Sequence, residues 1–372
     1  MRATTTKKTE FAVEEAAAAI VRAVLPPKMT AAVLYGSEDL RIEKIDVPAV
    51  AADEVLLRVR LALTDGTDLK VYRRGYHAKM IQPPAVFGHE VVGEIAALGK
   101  RVDSRWRIGA RVIAANSAPC LRCYHCRRGQ ENLCEDLLFN NGAYAEYLRI
   151  PGRIVMENML EVPHSVDDGS AALVEPLACV LRGIHEMEVR TGDTAVVIGC
   201  GPIGLKFVRM LSRRGLRVIA VARRSAPLDV ARRLGAVSTI DVTRVPNVVD
   251  AVKDLTEDRR GPDCVVEAAG NPATWKQSLE MVRRGGVVNL FSGLPSGTHI
   301  EIEPAAIHYS EIKIISTFHH TPRFIREALE AIRRGDILAS DFVTEEISLG
   351  ELPQAFARMK LRSGEIKLAV RP

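Results

Sequence analysis

The feature that most restricts the fold of this chain is a six-residue glycine turn, Gly199-Cys200-Gly201-Pro202-Ile203-Gly204. It follows the apolar run 194–198 and opens a helical pattern through Leu205 and Met210. A strand ending in G-x-G-x-x-G and leading into a helix fits a dinucleotide fingerprint. The first two glycines permit the tight turn and the close approach of a pyrophosphate; the third lets the helix pack on the sheet. Gly199, Gly201, Pro202, Ile203 and Gly204 are therefore candidate cofactor-binding residues, and a plain strand-to-helix turn is the alternative reading.

The surrounding rhythm agrees with the fingerprint. Apolar runs at 218–221, 264–267, 287–291 and 312–316 alternate with helical stretches, the pattern of a parallel sheet with crossover helices. From residue 29 to about 180 the pattern differs: short β runs at 30–34, 55–63, 90–98 and 110–114 are bounded by Gly, Pro or Asp. An amphipathic helix over 324–333 and a β run at 366–370 close the chain.

The end of the second parallel strand bears on the cofactor. NAD sites usually place an acid there to bind the ribose 2′-hydroxyl. Here the strand runs into Ala222-Arg223-Arg224, and guanidinium forks suit a 2′-phosphate. The pattern predicts NADP(H) over NAD(H); two solvated arginines are the alternative.

Four of the seven cysteines, Cys120, Cys123, Cys126 and Cys134, are spaced C-x2-C-x2-C-x7-C. An all-thiolate shell with no open position is what a structural zinc takes. Two disulfides would need an oxidising compartment, and nothing in the sequence suggests secretion. Cys179, Cys200 and Cys264 read as small apolar packing residues.

Composition excludes other classes. With 47% apolar and 26% charged residues and a net charge of +5, the chain reads as an ordinary soluble protein. No basic stripe is interleaved with aromatics, which argues against nucleic acid. No run approaches the ~20 apolar residues of a membrane span. Residues 1–28 carry Glu10, Glu14, Glu15 and Arg22, which fits neither a signal nor a transit peptide. They read as an extension with a short helix over 10–24, in a cytoplasmic protein.

Asp65, His89, Glu90 and Glu175 are oxygen and nitrogen donors able to hold a zinc with an open position. Taken singly, each reads more readily as a surface acid or a satisfied core histidine.

From residue 29 to residue 372 the chain resembles the zinc-dependent medium-chain dehydrogenases, closest to the sorbitol and polyol dehydrogenase branch. The resemblance rests on Gly66-Thr67-Asp68, Gly88-His89-Glu90, the four-cysteine lobe, Ala143-Tyr144-Ala145-Glu146-Tyr147 and Glu175-Pro176-Leu177-Ala178. It continues through the glycine turn, Leu234-Gly235-Ala236 and Val266-Glu267-Ala268-Ala269-Gly270-Asn271-Pro272. It implies an α/β protein with a GroES-like β-rich catalytic domain at 29–177 and 318–372 and a zinc lobe at about 117–137. A Rossmann doubly wound domain would span 178–317, and the chain would form homodimers or homotetramers.

The resemblance also implies hydride transfer between NADP(H) and a polyol, secondary alcohol or ketone through a zinc-bound alkoxide. The catalytic zinc would sit on Asp65, His89 and either Glu90 or Glu175, the other glutamate bonding the zinc water. Asp68 would orient His89, Thr67 would take the alcohol proton, and Lys367 would contact the cofactor pyrophosphate. Two departures stand out. Most relatives have cysteine where this chain has Asp65, so a harder donor replaces a thiolate. A similar Asp-Gly-Thr-Asp occurs in a glucose dehydrogenase branch, which makes an aldose dehydrogenase the alternative. Lys70 stands where many relatives carry the histidine that ends the proton relay, and an ammonium accepts no proton unless burial lowers its pKa. It would instead hold the cofactor ribose or a substrate anion. Tyr72, Arg73, Arg74, Tyr76, His77 and Lys79 are expected beside the cleft. A nucleotide-binding protein without catalytic metal is the reading from another class.

Overall fold

The computed structural model describes residues 25–361 and 366–372. The helix expected over 10–24 lies outside the described residues. Two β systems organise the chain. The first is a seven-stranded sheet ordered Met159–Glu161, Arg111–Ala114, Glu90–Leu98, Val55–Leu63, Lys367–Arg371, Val343–Ser348, with Tyr147–Ile150 also pairing on Val55–Leu63. A three-stranded sheet of Asp39–Asp46, Lys28–Gly36 and Ala85–Val86 packs beside it. The second system is a six-stranded parallel sheet in the order Ala236–Asp241, Arg217–Ala222, Thr194–Ile198, Cys264–Glu267, Val287–Leu290, Lys313–Ile315.

Numbered along the chain, the parallel strands run 3-2-1-4-5-6, the doubly wound Rossmann arrangement. Its switch point lies between Thr194–Ile198 and Cys264–Glu267, where crossovers leave on opposite faces. Ligands bind outside the carboxyl ends of strands at such a point. The glycine turn leaves that very end.

The expected strands at 55–63, 90–98, 194–198 and 264–267 coincide with Val55–Leu63, Glu90–Leu98, Thr194–Ile198 and Cys264–Glu267. Others move at their ends: 30–34 grows to Lys28–Gly36, and 312–316 shrinks to Lys313–Ile315. Several elements had no counterpart in the sequence reading, among them the charged strand Asp39–Asp46, the helix Gly66–Arg74, the sheet-edge strand Ala236–Asp241 and the helix Leu352–Lys360. Of the residues expected beside the cleft, Tyr72, Arg73 and Arg74 form the last turn of helix Gly66–Arg74, and Tyr76, His77 and Lys79 follow its Gly75 cap. Tyr72 lies on its buried face and stacks on Phe356 with ring centroids 5.3 Å apart.

A continuous apolar core joins the two sheets. It runs from Leu63, Val92 and Ile113 through Leu177 and Val180 to Val197, Leu205 and Phe207. Helix Val174–Glu186 is its hub, packed on helix Pro322–Arg333, which buries Phe324, Ile325, Ala328 and Ile332. Burying each of the large side chains stabilises the fold by about 1.5–3 kcal/mol. Glu175 enters the first turn of this hub helix, so the packing that joins the sheets also positions the glutamate. Among the described residues no helix is long and apolar enough to cross a membrane.

Candidate active site

The glycine turn is shaped by close contacts on one side and by open space on the other. Gly199 has φ +97°, and a Cβ on Gly204 would fall 1.8 Å from the Gly199 carbonyl oxygen. A Cβ on Gly201 would meet nothing within 4 Å. Gly201 caps helix Pro202–Arg213 without a side-chain hydrogen bond, so no capping side chain occupies the first free N–H groups. An anionic pyrophosphate fits that end, where free N–H groups and the helix dipole act together. Ile203 continues this first turn. Across the sheet, strand Arg217–Ala222 leads into exposed Arg223 and Arg224 at the start of helix Ser225–Arg233.

A second constellation is buried among the strands of the first sheet. Asp65 caps helix Gly66–Arg74, its carboxylate accepting the Thr67 amide hydrogen. Asp68, one turn on, accepts the hydroxyl hydrogen of Tyr144 at 2.6 Å and lies 3.0 Å from His89 Nδ1. Tyr144 fits because its ring packs on Gly88, where any Cβ would strike it at 2.8 Å. With Nδ1 engaged by Asp68, the Nε2 of His89 is turned toward Asp65, 3.9 Å away. Ligand atoms of Asp65, Asp68 and His89 lie within 4.8 Å of one another, as do those of His89, Glu90 and Glu175.

Electrostatics separates the four carboxylates. Burial opposes ionisation of Asp65, yet His89, Lys367 and the Thr67 hydrogen bonds hold it down at about 2. Burial raises Glu90 and Glu175. Burial also works against charge on His89, but Asp68, Asp65 and Glu175 overcome it and hold the imidazole well above its ordinary value. Of the four buried carboxylates only Glu90 is bonded to an ammonium, that of Lys367, and buried charge of one sign is tolerated when it is paired or binds metal. The donor set of carboxylate oxygens and an imidazole nitrogen suits zinc.

Lys367 corrects one expectation. Its Nζ is fully buried and donates to both oxygens of Glu90, at 2.7 and 2.5 Å, and to the Thr64 carbonyl at 2.7 Å. All three ammonium hydrogens are engaged, leaving none for a pyrophosphate in this arrangement. The same clamp occupies Glu90, whereas the Glu175 carboxylate has only Cys179 at 3.9 Å and His320 at 3.8 Å. Glu175 is thus the freer of the two glutamates. Lys70 is exposed on helix Gly66–Arg74, and no hydrogen bond or ion pair ties it to the buried cluster. Thr67 is half-buried on the same first turn.

The four cysteines of the lobe are unpaired as disulfides and mutually within 4.8 Å. Cys123 and Cys134 sulfurs stand 4.0 Å apart, close to the ~3.8 Å edge of a tetrahedral thiolate shell with Zn–S about 2.3 Å. The Cys120 amide donates to Cys134 Sγ at 3.1 Å, and the Cys126 amide holds the Cys123 thiol below its ordinary value. Backbone donors of this kind support thiolates. The set fits a closed zinc.

Residues 51–162 match the family described as alcohol dehydrogenase GroES-like domain, and residues 202–334 the family described as zinc-binding dehydrogenase. The chain is 31% identical over 356 residues to sorbitol dehydrogenase of Bacillus subtilis (strain 168), covering 94% of this chain and 98% of that protein. The chain belongs to the zinc-binding alcohol dehydrogenases. D-arabinitol dehydrogenase 1 of Uromyces fabae is 32% identical over 355 residues, with 94% of this chain and 98% of that protein covered. A crystal structure from Sinorhizobium meliloti 1021, named provisionally a zinc-binding dehydrogenase and bound to NADP, superposes with a TM-score of 0.84. It is 29% identical and covers 93% of this chain and 100% of that chain.

Several polar residues of this zinc-binding dehydrogenase had no sequence signal. His319 and His320, adjacent after strand Lys313–Ile315, face Glu175 from outside the recognised motifs. Cys179 is half-buried and turned toward Glu175, unlike Cys200 and Cys264, which pack in the core as expected. Lys206, fully buried on the glycine-turn helix, is close enough to sense Asp65, Glu90 and Glu175. An adjacent His-His pair and a cysteine one turn after Glu175 were visible in the sequence, but nothing there said which faces they share.

Proposed function

We propose that this dehydrogenase interconverts a polyol or secondary alcohol with its ketone, using NADP(H) and a zinc held by Asp65, His89 and Glu175. His89 carries the reading: it shares one buried donor group with Asp65 and another with Glu175, with Lys206 of the glycine-turn helix within electrostatic reach. Residues 29–177 and 318–372 would form the catalytic unit and 178–317 the nucleotide unit. The Cys120, Cys123, Cys126, Cys134 lobe would hold a second, structural zinc.

When bound, zinc supplies Lewis-acid polarisation of the substrate oxygen and the nicotinamide exchanges the hydride. The chain supplies the rest. Asp68, itself held by Tyr144, fixes the His89 ring so that Nε2 faces the cleft side. Lys367 neutralises Glu90 behind the site and keeps it from competing for the metal. Thr67 Oγ1, two residues past Asp65, takes the alcohol proton and passes it outward. Gly201 and the first amides of its helix bind the pyrophosphate; Arg223 and Arg224 bind the 2′-phosphate.

Steady-state kinetics with both cofactors tests the nucleotide half. NADP is expected to give at least a tenfold higher kcat/KM than NAD, and Arg223→Asp together with Arg224→Ser should reverse the order, a change of about 1.4 kcal/mol or more. Preference of the wild type for NAD would overturn it. A substrate panel should include D-sorbitol and D-arabinitol, the alcohols named for two relatives. Aldoses belong in the same panel, because Asp65-Gly66-Thr67-Asp68 is similar to a glucose dehydrogenase motif; exclusive oxidation of aldoses would favour that second reading over polyols. For the lobe, Cys123→Ser is expected to remove one equivalent of zinc by plasma mass spectrometry and to lower Tm. Unchanged zinc content would dismiss the lobe as a metal centre.

A further inference from the structure

Beside the proposed zinc station lies a second group of donors that the mechanism does not use. Glu175 and Cys179 are one turn apart on helix Val174–Glu186, so their side chains share a face, with Sγ 3.9 Å from Oε1. His319 arrives from the opposite direction, after strand Lys313–Ile315, with a left-handed backbone of φ +68°. Its ligand nitrogen, the Cys179 sulfur and a Glu175 oxygen all lie within 4.8 Å of one another. Ser117 Oγ is 2.5 Å from His319 Nε2 and fixes the ring.

The neighbourhood also contains an unsatisfied polar atom. His320, stacked against His319 with ring centroids 4.0 Å apart, lies 3.8 Å from the Glu175 carboxylate and 3.0 Å from Asn116 Oδ1. Its buried Nδ1 has no hydrogen-bond partner among the described residues. Such an atom is uncommon in a buried core.

We propose that Glu175, Cys179 and His319 form a second station for a divalent, thiophilic cation such as zinc, with Glu175 shared between it and the Asp65–His89 station. One sulfur, one nitrogen and one carboxylate oxygen with an open fourth position make a zinc set, softer than the thiol-free set around Asp65. Carboxylate and thiolate together balance the doubly charged ion; the thiol proton leaves to solvent as the metal binds. The station rests on the proposed function only through Glu175.

Cobalt reports the difference, because only a thiolate ligand gives the intense sulfur-to-metal charge-transfer band in the near ultraviolet. Wild type, Cys179→Ser, His319→Gln and Asp65→Ala are loaded with Co2+ identically, so that the lobe contributes equally and cancels in difference spectra. The expected result is a Cys179-dependent band that Cys179→Ser abolishes, His319→Gln weakens at least severalfold, and Asp65→Ala retains. Metal analysis should show one equivalent fewer in Cys179→Ser. Identical spectra and metal content for wild type and Cys179→Ser, with His319→Gln also unchanged, overturn the proposal. Loss of the band in Asp65→Ala overturns it as well, because the station would then not stand apart. Failure of Asp65→Ala to lose activity, with the Cys179 band intact, would instead overturn the catalytic assignment and leave this station standing. Circular dichroism of Cys179→Ser and of His319→Gln guards against a folding defect in either variant.

Discussion

Asp65→Asn is expected to lower kcat/KM for the alcohol by about a thousandfold or more, about 4 kcal/mol of transition-state stabilisation, while leaving Tm within about a degree. The two halves of this result come from the two jobs of one side chain. Asp65 caps helix Gly66–Arg74 through the Thr67 amide, and asparagine caps as well as aspartate. Asparagine lacks the charge, however, and is a far weaker ligand for zinc. Asp65→Ala loses both functions and should cost a further ~1 kcal/mol of stability. Asp65→Cys keeps an anionic donor and should retain metal. Metal content and kcat/KM measured on the three variants separate capping from ligation. Full activity in Asp65→Asn would remove Asp65 from the site.

The second large effect runs in the opposite direction: Lys206→Met should stabilise the protein. Lys206 is fully buried, its Nζ only 3.4 Å from the Pro202 carbonyl and 4.7 Å above the Phe342 ring. Burial, helped by the charge of Lys367, lowers its pKa to about 7. An unfolded lysine titrates near ~10.4. Below about pH 7 both states carry the proton and the folded state bears the full cost of a buried charge. Between that value and ~10.4 the unfolded chain binds the proton and the folded one does not, so stability rises with pH. Above ~10.4 both states are neutral and the penalty is gone. Methionine fills a similar volume without charge, so the variant should gain roughly 3–5 kcal/mol at pH 6, with the gain fading toward pH 10. Urea titrations of both proteins across this range measure it. A pH-independent difference, or a less stable variant at pH 6, would show that Lys206 is buried without cost.

Much of the fold could be read because its signals are local. The strand, glycine turn and helix around residue 199 are contiguous, and Gly204 is required by contact with its own turn. Helix Gly66–Arg74 escaped because only Asp68, Val71 and Tyr72 are buried on it, too few to set a helical period. Its Asp65 cap was a usable signal and was read only as a ligand. The strand Asp39–Asp46 escaped for the same kind of reason, since its fully buried position is Leu40 alone.

The site was less legible, because its partners come from distant segments. Resemblance named Asp65, His89 and Glu175, but it could not say that Glu90 is clamped or that Lys367 clamps it. A lysine's sequence position gives its charge and not its partner. His319 and Cys179 are set by the register of the hub helix against the Rossmann edge, which no short motif encodes.

The clamp between Lys367 and Glu90 spans 277 residues of chain. During synthesis at ~5–20 residues per second, Glu90 is made roughly a quarter of a minute to a minute before its counterion. Over that interval the first sheet must either leave the glutamate in water or bury it protonated. Strand Lys367–Arg371, arriving late between Val55–Leu63 and Val343–Ser348, delivers the ammonium and two backbone ladders in one move. The buried cluster around Glu90 therefore receives its counterion from the last strand to leave the ribosome among those described.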